Sequence, residues 1–509
     1  MGRLTSHGAL RGVVRVAVLA SGLASLAACS GNTGDETTSS GTAAAAAATG
    51  SGASTGTSGG AANSSSSAAA SSTNAGSSTG VGVGPTGTSS GGSSSGSTSG
   101  GSTTGGGPPT YVYIENNDPT PGNNNAILGY RLTGQTLVPL PGVSSFPLGG
   151  AGLPDTNFDL GPEDTDQEIV IDYVNKRLYG VNQASETIGG FDINSDGSLT
   201  ALPDSPYFSG DGPVSLAIVG NLMYVANQAS DKLMAPDYVA MSIAADGSLA
   251  LVPGFKPFTT AVGASPSQVL VSPDKTHIFG ADFLGPLASP PINPIRSLVL
   301  TSDGGIIRAP GDPYAVPASA APGPPQGNSL ALGLAAHPTE NLLYVGFVIF
   351  DDVGVFSYDS TGALTYITSA LMSGALVCWL RVTSNGRDMY ASNTGDASVS
   401  HLDLTFPRAP VEKQHFLLKD SQGTPFIGLG QTQVVTSAPY QLTLSPDEKF
   451  LFVVSQRVTV NPNDIVSPGN ILHTLVIADD GTISEPGADV MIDTPITARA
   501  QGIATIALP

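Results

Sequence analysis

From residue 110 to the end, one pattern of short alternating strands recurs along the chain. An apolar strand and a short polar turn lead into an aromatic-led strand that closes on Asn or Asp. A variable stretch, a third strand, a Gly-containing turn and a Leu-containing strand follow. The plainest copy runs Pro439-Tyr440-Gln441-Leu442-Thr443-Leu444-Ser445-Pro446-Asp447, then Phe450-Leu451-Phe452-Val453-Val454. A second runs Pro266-Ser267-Gln268-Val269-Leu270-Val271-Ser272-Pro273-Asp274, then Ile278-Phe279-Gly280-Ala281-Asp282. The leading aromatics of the second strand fall at Tyr111, Tyr179, Tyr224, Phe279, Tyr344, Tyr390 and Phe452, at intervals of 68, 45, 55, 65, 46 and 62 residues. A four-stranded unit repeated at about this length is a propeller blade. The fold class is therefore all-β, a seven-bladed propeller over residues 110–509.

Local chemistry agrees. Ser-Pro-Asp places Pro in a turn, where its missing N–H costs no ladder bond. Asp196-Gly197, Asp246-Gly247, Asp303-Gly304, Thr361-Gly362 and Asp480-Gly481 are expected to supply the paired positive φ of tight hairpins. Gly502-Ile503-Ala504-Thr505-Ile506 reads as an innermost strand with nothing after it, and Tyr111-Val112-Tyr113-Ile114 as a second strand with nothing before it. Together they complete one blade, so the last strand closes the ring and removes an open edge.

The first 109 residues are of another kind. Arg3, Arg11 and Arg15 precede an apolar run from Val16 to Ala28, too short for a membrane span but suited to a secretory signal. The run ends in Leu26-Ala27-Ala28-Cys29, which resembles the lipobox of bacterial lipoproteins. That resemblance implies cleavage after residue 28, lipidation of Cys29 and an envelope location. Ser30 in place of Asp points to the outer membrane or cell surface. Residues 29–109 are the lipidated cysteine and a tether of Ser, Gly, Thr and Ala whose only charges are Asp35 and Glu36. Such a segment buries too little apolar area to offset the entropy of ordering and is expected to stay disordered.

Composition narrows function. A formal charge of -21 argues against nucleic acid, whose phosphates need Lys and Arg. Two cysteines exclude a disulfide scaffold and a multi-Cys metal centre. The partners expected are a membrane, through the lipid, and a polar ligand or protein at the propeller mouth, with the chain itself a monomer.

The repeats resemble the seven-bladed lactonase-type propellers, which include 6-phosphogluconolactonase-like enzymes, muconate lactonising cyclases and YVTN-repeat surface proteins. The resemblance implies a site where innermost strands begin and second strands end, furnished with Arg, His and Glu. The corresponding pairs here are Gln501-Gly502, Gln167-Glu168, Val214-Ser215, Ser267-Gln268, Leu332-Gly333, Cys378-Trp379 and Tyr440-Gln441, without His or Arg. His277, His337, His401, His415 and His473 fall in turns, outer strands or loops by the same alignment. What remains is rich in amides, which suit neutral polar ligands. The candidate binding set is Gln167, Glu168, Asn182, Asn227, Gln268, Asp282, Trp379, Asn393, Tyr440, Gln441 and Arg457, with Trp379 and Tyr440 as stacking faces. The pattern favours a non-catalytic binding or scaffold module. A lactonase or cyclo-isomerase with an altered site is the alternative, which gains if Arg381, Arg457 or Arg499 converges with Glu168.

No cofactor is required. Calcium is the one conceivable ion, because Asp155, Asp159, Glu163, Asp164, Asp166 and Glu168 crowd one short stretch and calcium prefers such flexible oxygen ligands. The EF-hand-like Asp192-Ile193-Asn194-Ser195-Asp196-Gly197 meets Pro203 where a bidentate Glu belongs and reads as a hairpin. Cys378 lacks a companion His in its motif and reads as a core residue. Cys29→Ser is expected to abolish acylation, so metabolic palmitate labelling and detergent partitioning should both be lost. Equal labelling of the two chains would remove the lipoprotein assignment.

Overall fold

The computed structural model describes residues 107–120, 122, 124–153, 168–230, 233–320, 330–419, 437–457, 469–495 and 498–509. The leader, Cys29, the tether up to residue 106, and Asp155, Asp159, Asp164, Asp166 and Gln167 lie outside the described residues. The rest forms seven antiparallel sheets of four or five strands. Blade I takes its innermost strand, Gln501–Ala507, from the end of the chain and adds Thr110–Glu115, Ala126–Thr133 and Thr136–Pro139. Blades II to VII follow in sequence order, with innermost strands Ile169–Asp172, Pro213–Val219, Pro266–Val271, Ala331–Ala336, Val377–Val382 and Ala438–Leu444. Thr110–Glu115 pairs with the C-terminal strand from Thr110↔Ala507 to Glu115↔Gln501. The ring is thus closed by pairing the two ends of the repeat region, as the sequence implies.

No single core exists. Alternating strands expose one apolar row to each side, and each row meets the row of the neighbouring blade. Among the described residues, seven buried clusters result, one per seam, and an eighth lies at the mouth. Tyr113, Ile127, Ile169 and Leu178 join blades I and II, for instance, and Phe452, Leu472, Val112 and Leu128 join VII and I.

The leading aromatics are the latches of these seams. Tyr179 donates its hydroxyl proton to the Gly247 carbonyl at 2.9 Å, Tyr224 to Gly304 at 3.0 Å and Tyr390 to Gly481 at 2.8 Å. In each case a second strand reaches the third-to-fourth-strand turn of the next blade. Tyr344 reaches Pro407 in the same way at 2.9 Å. Blade I corrects the sequence frame. Its latch is Tyr113, 2.7 Å from the Gly197 carbonyl, so Tyr113 and not Tyr111 leads that strand. Phe279 has no hydroxyl; its ring packs 4.9 Å from Tyr358 and Ser297 donates to Gly362 at 2.6 Å instead.

The turns themselves also differ from expectation. Gly197 has φ of 84°, but Asp196 is not in the left-handed region. Asn194 and Ser198 close a wider loop, with Gly197 N–H on the Asn194 carbonyl at 2.9 Å and Asn194 N–H on the Ser198 carbonyl at 2.9 Å. This is a type I turn followed by a glycine bulge. Asp196 serves as an acceptor for the Ser198 N–H at 3.0 Å. Tyr179→Phe should leave the Gly247 carbonyl without its donor and cost about 0.5–1.5 kcal/mol, with more if water cannot replace it. The urea midpoint measures this, and an unchanged midpoint would remove the latch role.

Candidate functional site

Because adjacent strands run antiparallel, each innermost strand begins beside the end of its second strand, and all these termini gather at one mouth. Six of the seven blades break register there. Pairing jumps from Pro213 to Ser215, Pro266 to Gln268, Ala331 to Leu334, Val377 to Leu380, Pro439 to Gln441, and Ile503 to Gln501. A bulge leaves the extra residue out of the ladder and re-aims its side chain. Six of the seven mouth pairs aligned from the sequence coincide with these bulges; the exception is Gln167-Glu168 of blade II, of which Gln167 lies outside the described residues.

Their polar groups are spent between blades. Gln268 donates from Nε2 to the Leu334 carbonyl at 3.2 Å and accepts the Leu334 N–H on Oε1 at 2.7 Å, so one side chain acts as a strand-like link from blade IV to blade V. Gln441 Nε2 donates to Glu168 Oε2 at 2.6 Å, and its Oε1 accepts the Gly502 N–H. A single amide thereby joins blades VII, I and II. Ser215 Oγ accepts the Val269 N–H at 3.0 Å. Ser392 Oγ accepts from Trp379 N–H at 3.1 Å and donates to the Tyr440 carbonyl at 2.5 Å.

The second-strand ends are equally engaged. Asn182 Nδ2 donates to the Leu148 carbonyl and to Thr187, both at 3.1 Å. Asn227 donates to Asp237 at 2.8 Å, and Asn393 to Ser398 and Ser400 at 2.9 Å each. Asp282 is fully buried against Arg296, 2.6 Å away. Burial lifts its carboxyl to about 6, with Arg296 opposing. Trp379 and Tyr440 are 0 % and 1 % exposed and meet edge to face at 5.9 Å. They pack into an apolar cluster with Phe283, Leu332 and Val348, so the expected stacking faces are turned on each other.

Charge collects where blades VII, I and II meet. Glu115 ends the second strand of blade I, is buried, and accepts from Asn125 Nδ2 at 2.8 Å. Burial holds its carboxyl well above the ordinary range and Glu168 adds to the rise, while the Asn125 bond opposes it. The sequence frame missed Glu115 because it started from Tyr111; counted from Tyr113, the strand end falls on Glu115-Asn116. Arg457 donates its backbone N–H to Asn470 at 2.9 Å, and Asn470 Nδ2 donates to the Ala498 carbonyl at 3.2 Å. One asparagine therefore ties the backbone at Arg457 to the carbonyl just before Arg499, and burial lowers the Arg457 guanidinium. Arg381 does not join them. It pairs with Tyr390 near the opposite end of its strand, where the nearby Tyr173 phenol feels its charge. Among the described residues no histidine occupies a mouth position.

Asp352 begins the third strand of blade V at the mouth end and is 6 % exposed. Burial pushes its carboxyl to about 7, against a bond from Ser369.

No family profile and no curated protein sequence matches the chain. Solved structures do. A putative 6-phosphogluconolactonase from Bacteroides uniformis superimposes with a TM-score of 0.51 at 17 % identity, covering 78 % of this chain and 99 % of its own. The Pseudomonas aeruginosa periplasmic gluconolactonase gives 0.51 at 16 %, with coverage of 78 % and 100 %. The chain has the lactonase-type propeller fold. A hypothetical selenium-binding protein from Sulfolobus tokodaii gives 0.51 at 12 %, covering 78 % and 94 %, so this fold spans differently named proteins and does not by itself specify chemistry.

The Asp352 carboxyl gives a pH test for this lactonase-type propeller. Its folded pKa of about 7 lies above the unfolded value of about 3.9. The folded state therefore holds the proton more tightly. That stabilisation is complete below the unfolded value and is lost as pH rises through about 7. Asp352→Asn should stabilise the protein at pH 8 by on the order of 1–3 kcal/mol, the penalty of an unmatched buried group. At pH 4 it should change little. Melting at the two pH values checks it, and equal shifts at both would remove the assignment.

Proposed function

We propose that the chain is a lipid-anchored cell-envelope protein whose lactonase-type propeller is a non-catalytic binding or scaffold module for a polar ligand, either a glycan, a peptide or a protein. The observation that carries this is the use to which the mouth is put. Gln268, Gln441, Ser215 and Ser392 bond blade to blade, and among the described residues no histidine stands at a mouth-end strand terminus to move a proton. The ring is built as a rigid support, and a ligand meets it through the backbone and the connections above the bulges. A lactone-opening site of the kind the resemblance implies needs imidazole and guanidinium where Ser267-Gln268 and Tyr440-Gln441 stand.

One observation favours a second reading, a lactonase or cyclo-isomerase with a rebuilt site. Glu115 and Glu168 are neighbouring buried carboxyls, with Glu115 held toward its protonated form. A carboxyl held protonated beside a second carboxyl is one way to assemble an acid and a base. The lactonase names of the Bacteroides and Pseudomonas neighbours point the same way.

Hydrolysis of 6-phosphogluconolactone and gluconolactone, corrected for spontaneous opening, separates the two. The expected outcome is background turnover for the wild type and for Glu115→Gln alike. A kcat/KM at or above about 10⁴ M⁻¹s⁻¹, the lower end of ordinary enzymes, that disappears in Glu115→Gln would overturn the binding reading and establish the second.

A further inference from the structure

Away from the central channel, at the seam between blades VI and VII, three ligating groups converge. His473 lies on the third strand of blade VII, Ile471–Ile477. Glu485 follows the fourth strand, Ile483–Ser484, and Asp489 precedes the short strand Val490–Met491. His473 Nδ1 is 2.8 Å from Glu485 Oε1 and 3.3 Å from Asp489 Oδ2. The three donor atoms all lie within 4.8 Å of one another. The side chains of His473 and Glu485 are 0 % exposed and that of Asp489 is 4 % exposed. The seam itself is tied by Gln414 of blade VI, whose amide pairs with the Ile483 backbone at 2.8 and 2.7 Å.

We infer that His473, Glu485 and Asp489 form a binding site for one divalent cation of the zinc class.

Spacing supports it. Two ligands each about 2.0–2.2 Å from zinc, at angles between a right angle and the tetrahedral one, stand about 3 to 3.5 Å apart. The 2.8 and 3.3 Å separations from Nδ1 lie close to this range, and all three donor atoms fall within 4.8 Å of one another. The outer groups are already in place. His473 Nε2 is 2.9 Å from Ser455 Oγ, and Glu485 Oε2 accepts the Lys419 N–H at 2.7 Å. Partners of this kind fix the ring and leave one carboxylate oxygen to the metal. The Lys419 ammonium meets the Glu485 backbone carbonyl, not its carboxylate.

Electrostatics supplies an independent reason. Asp489 Oδ2 is buried and makes no good hydrogen bond of its own; it lies 3.3 Å from His473 Nδ1, which already meets Glu485 Oε1 at 2.8 Å, and a buried carboxylate without full compensation is costly. It points at the spot that Nδ1 and Glu485 Oε1 also face. A positive charge placed there answers both carboxylates. An imidazole nitrogen beside carboxylate oxygens suits zinc better than calcium or magnesium, which take oxygen ligands. Bound there, the ion cross-links the third strand of blade VII to its outer segment and, through Lys419, to the end of the blade VI outer strand.

The test uses the full-length purified chain. After dialysis against zinc and removal of excess, elemental analysis should find one more zinc per chain in the wild type than in Asp489→Asn. Because the acidic stretch 155–168 is common to both, the difference isolates this site. Zinc should raise the melting temperature of the wild type and leave that of Asp489→Asn unchanged. Ser455→Ala should weaken zinc binding by about 10- to 100-fold, the usual effect of losing an outer partner. Cobalt in place of zinc should give a visible absorption band, which tests the wild type even if a variant fails to fold. Equal zinc content in the two chains, or a wild type that develops no cobalt band, would overturn the inference and leave a proton on Nδ1 as the occupant.

Discussion

A tyrosine hydroxyl on the second strand of one blade bonds to a carbonyl in the next blade, and the ring is organised around that repeated contact. Blades in a propeller share no backbone ladder, so side chains must hold each seam. The apolar rows supply most of the attraction but little direction. A hydrogen bond from Tyr179 to Gly247, or from Tyr390 to Gly481, adds direction, because it is satisfied only when adjacent blades stand at one height and angle. The turn follows from the same demand. Its glycine must adopt positive φ, and at Gly197 a Cβ would collide with the Tyr111 ring. At Phe279, one of two leaders without a hydroxyl, the bond from Ser297 to Gly362 keeps the equivalent acceptor in use.

The mouth obeys the same constraint at a smaller radius. Innermost strands crowd together there, and Gly333 is needed because a Cβ would run into the Cys378 carbonyl and Trp379. At such distances a polar side chain that enters the mouth finds the next blade before it finds solvent. That is why Gln268 and Gln441 behave as pins, and why Asp282 keeps a buried arginine beside it. Residue types that read as ligand-binding in a list of amides become structural once neighbouring blades are in place. The proposed function rests on this conversion.

Buried charge also meets where the ring closes: Glu115 of blade I and Glu168 of blade II are neighbours, held by Asn125 and Gln441, in a region assembled from the two ends of the repeat. Ring closure therefore fixes the fold and also brings together groups far apart in the chain. His473, Glu485 and Asp489 are brought together by one blade's own strands, at a seam where the Lys419 backbone N–H of blade VI reaches Glu485.

Local sequence determined the repeat, the number of blades, the closing strand and the mouth positions, because strand alternation, turn glycines and leading aromatics are short-range requirements that survive in every copy. It located Gln268, Gln441 and Trp379 at the mouth, but it could not say whether they face a ligand or a neighbour. Packing between blades decided that, together with the choice of Tyr113 over Tyr111 as the first latch and the exclusion of Arg381 from the mouth. The reason is distance along the chain. Tyr113 and Gly197 are 84 residues apart and Gln441 and Glu168 are 273 apart, so their meeting depends on the closed ring, and no local pattern records it.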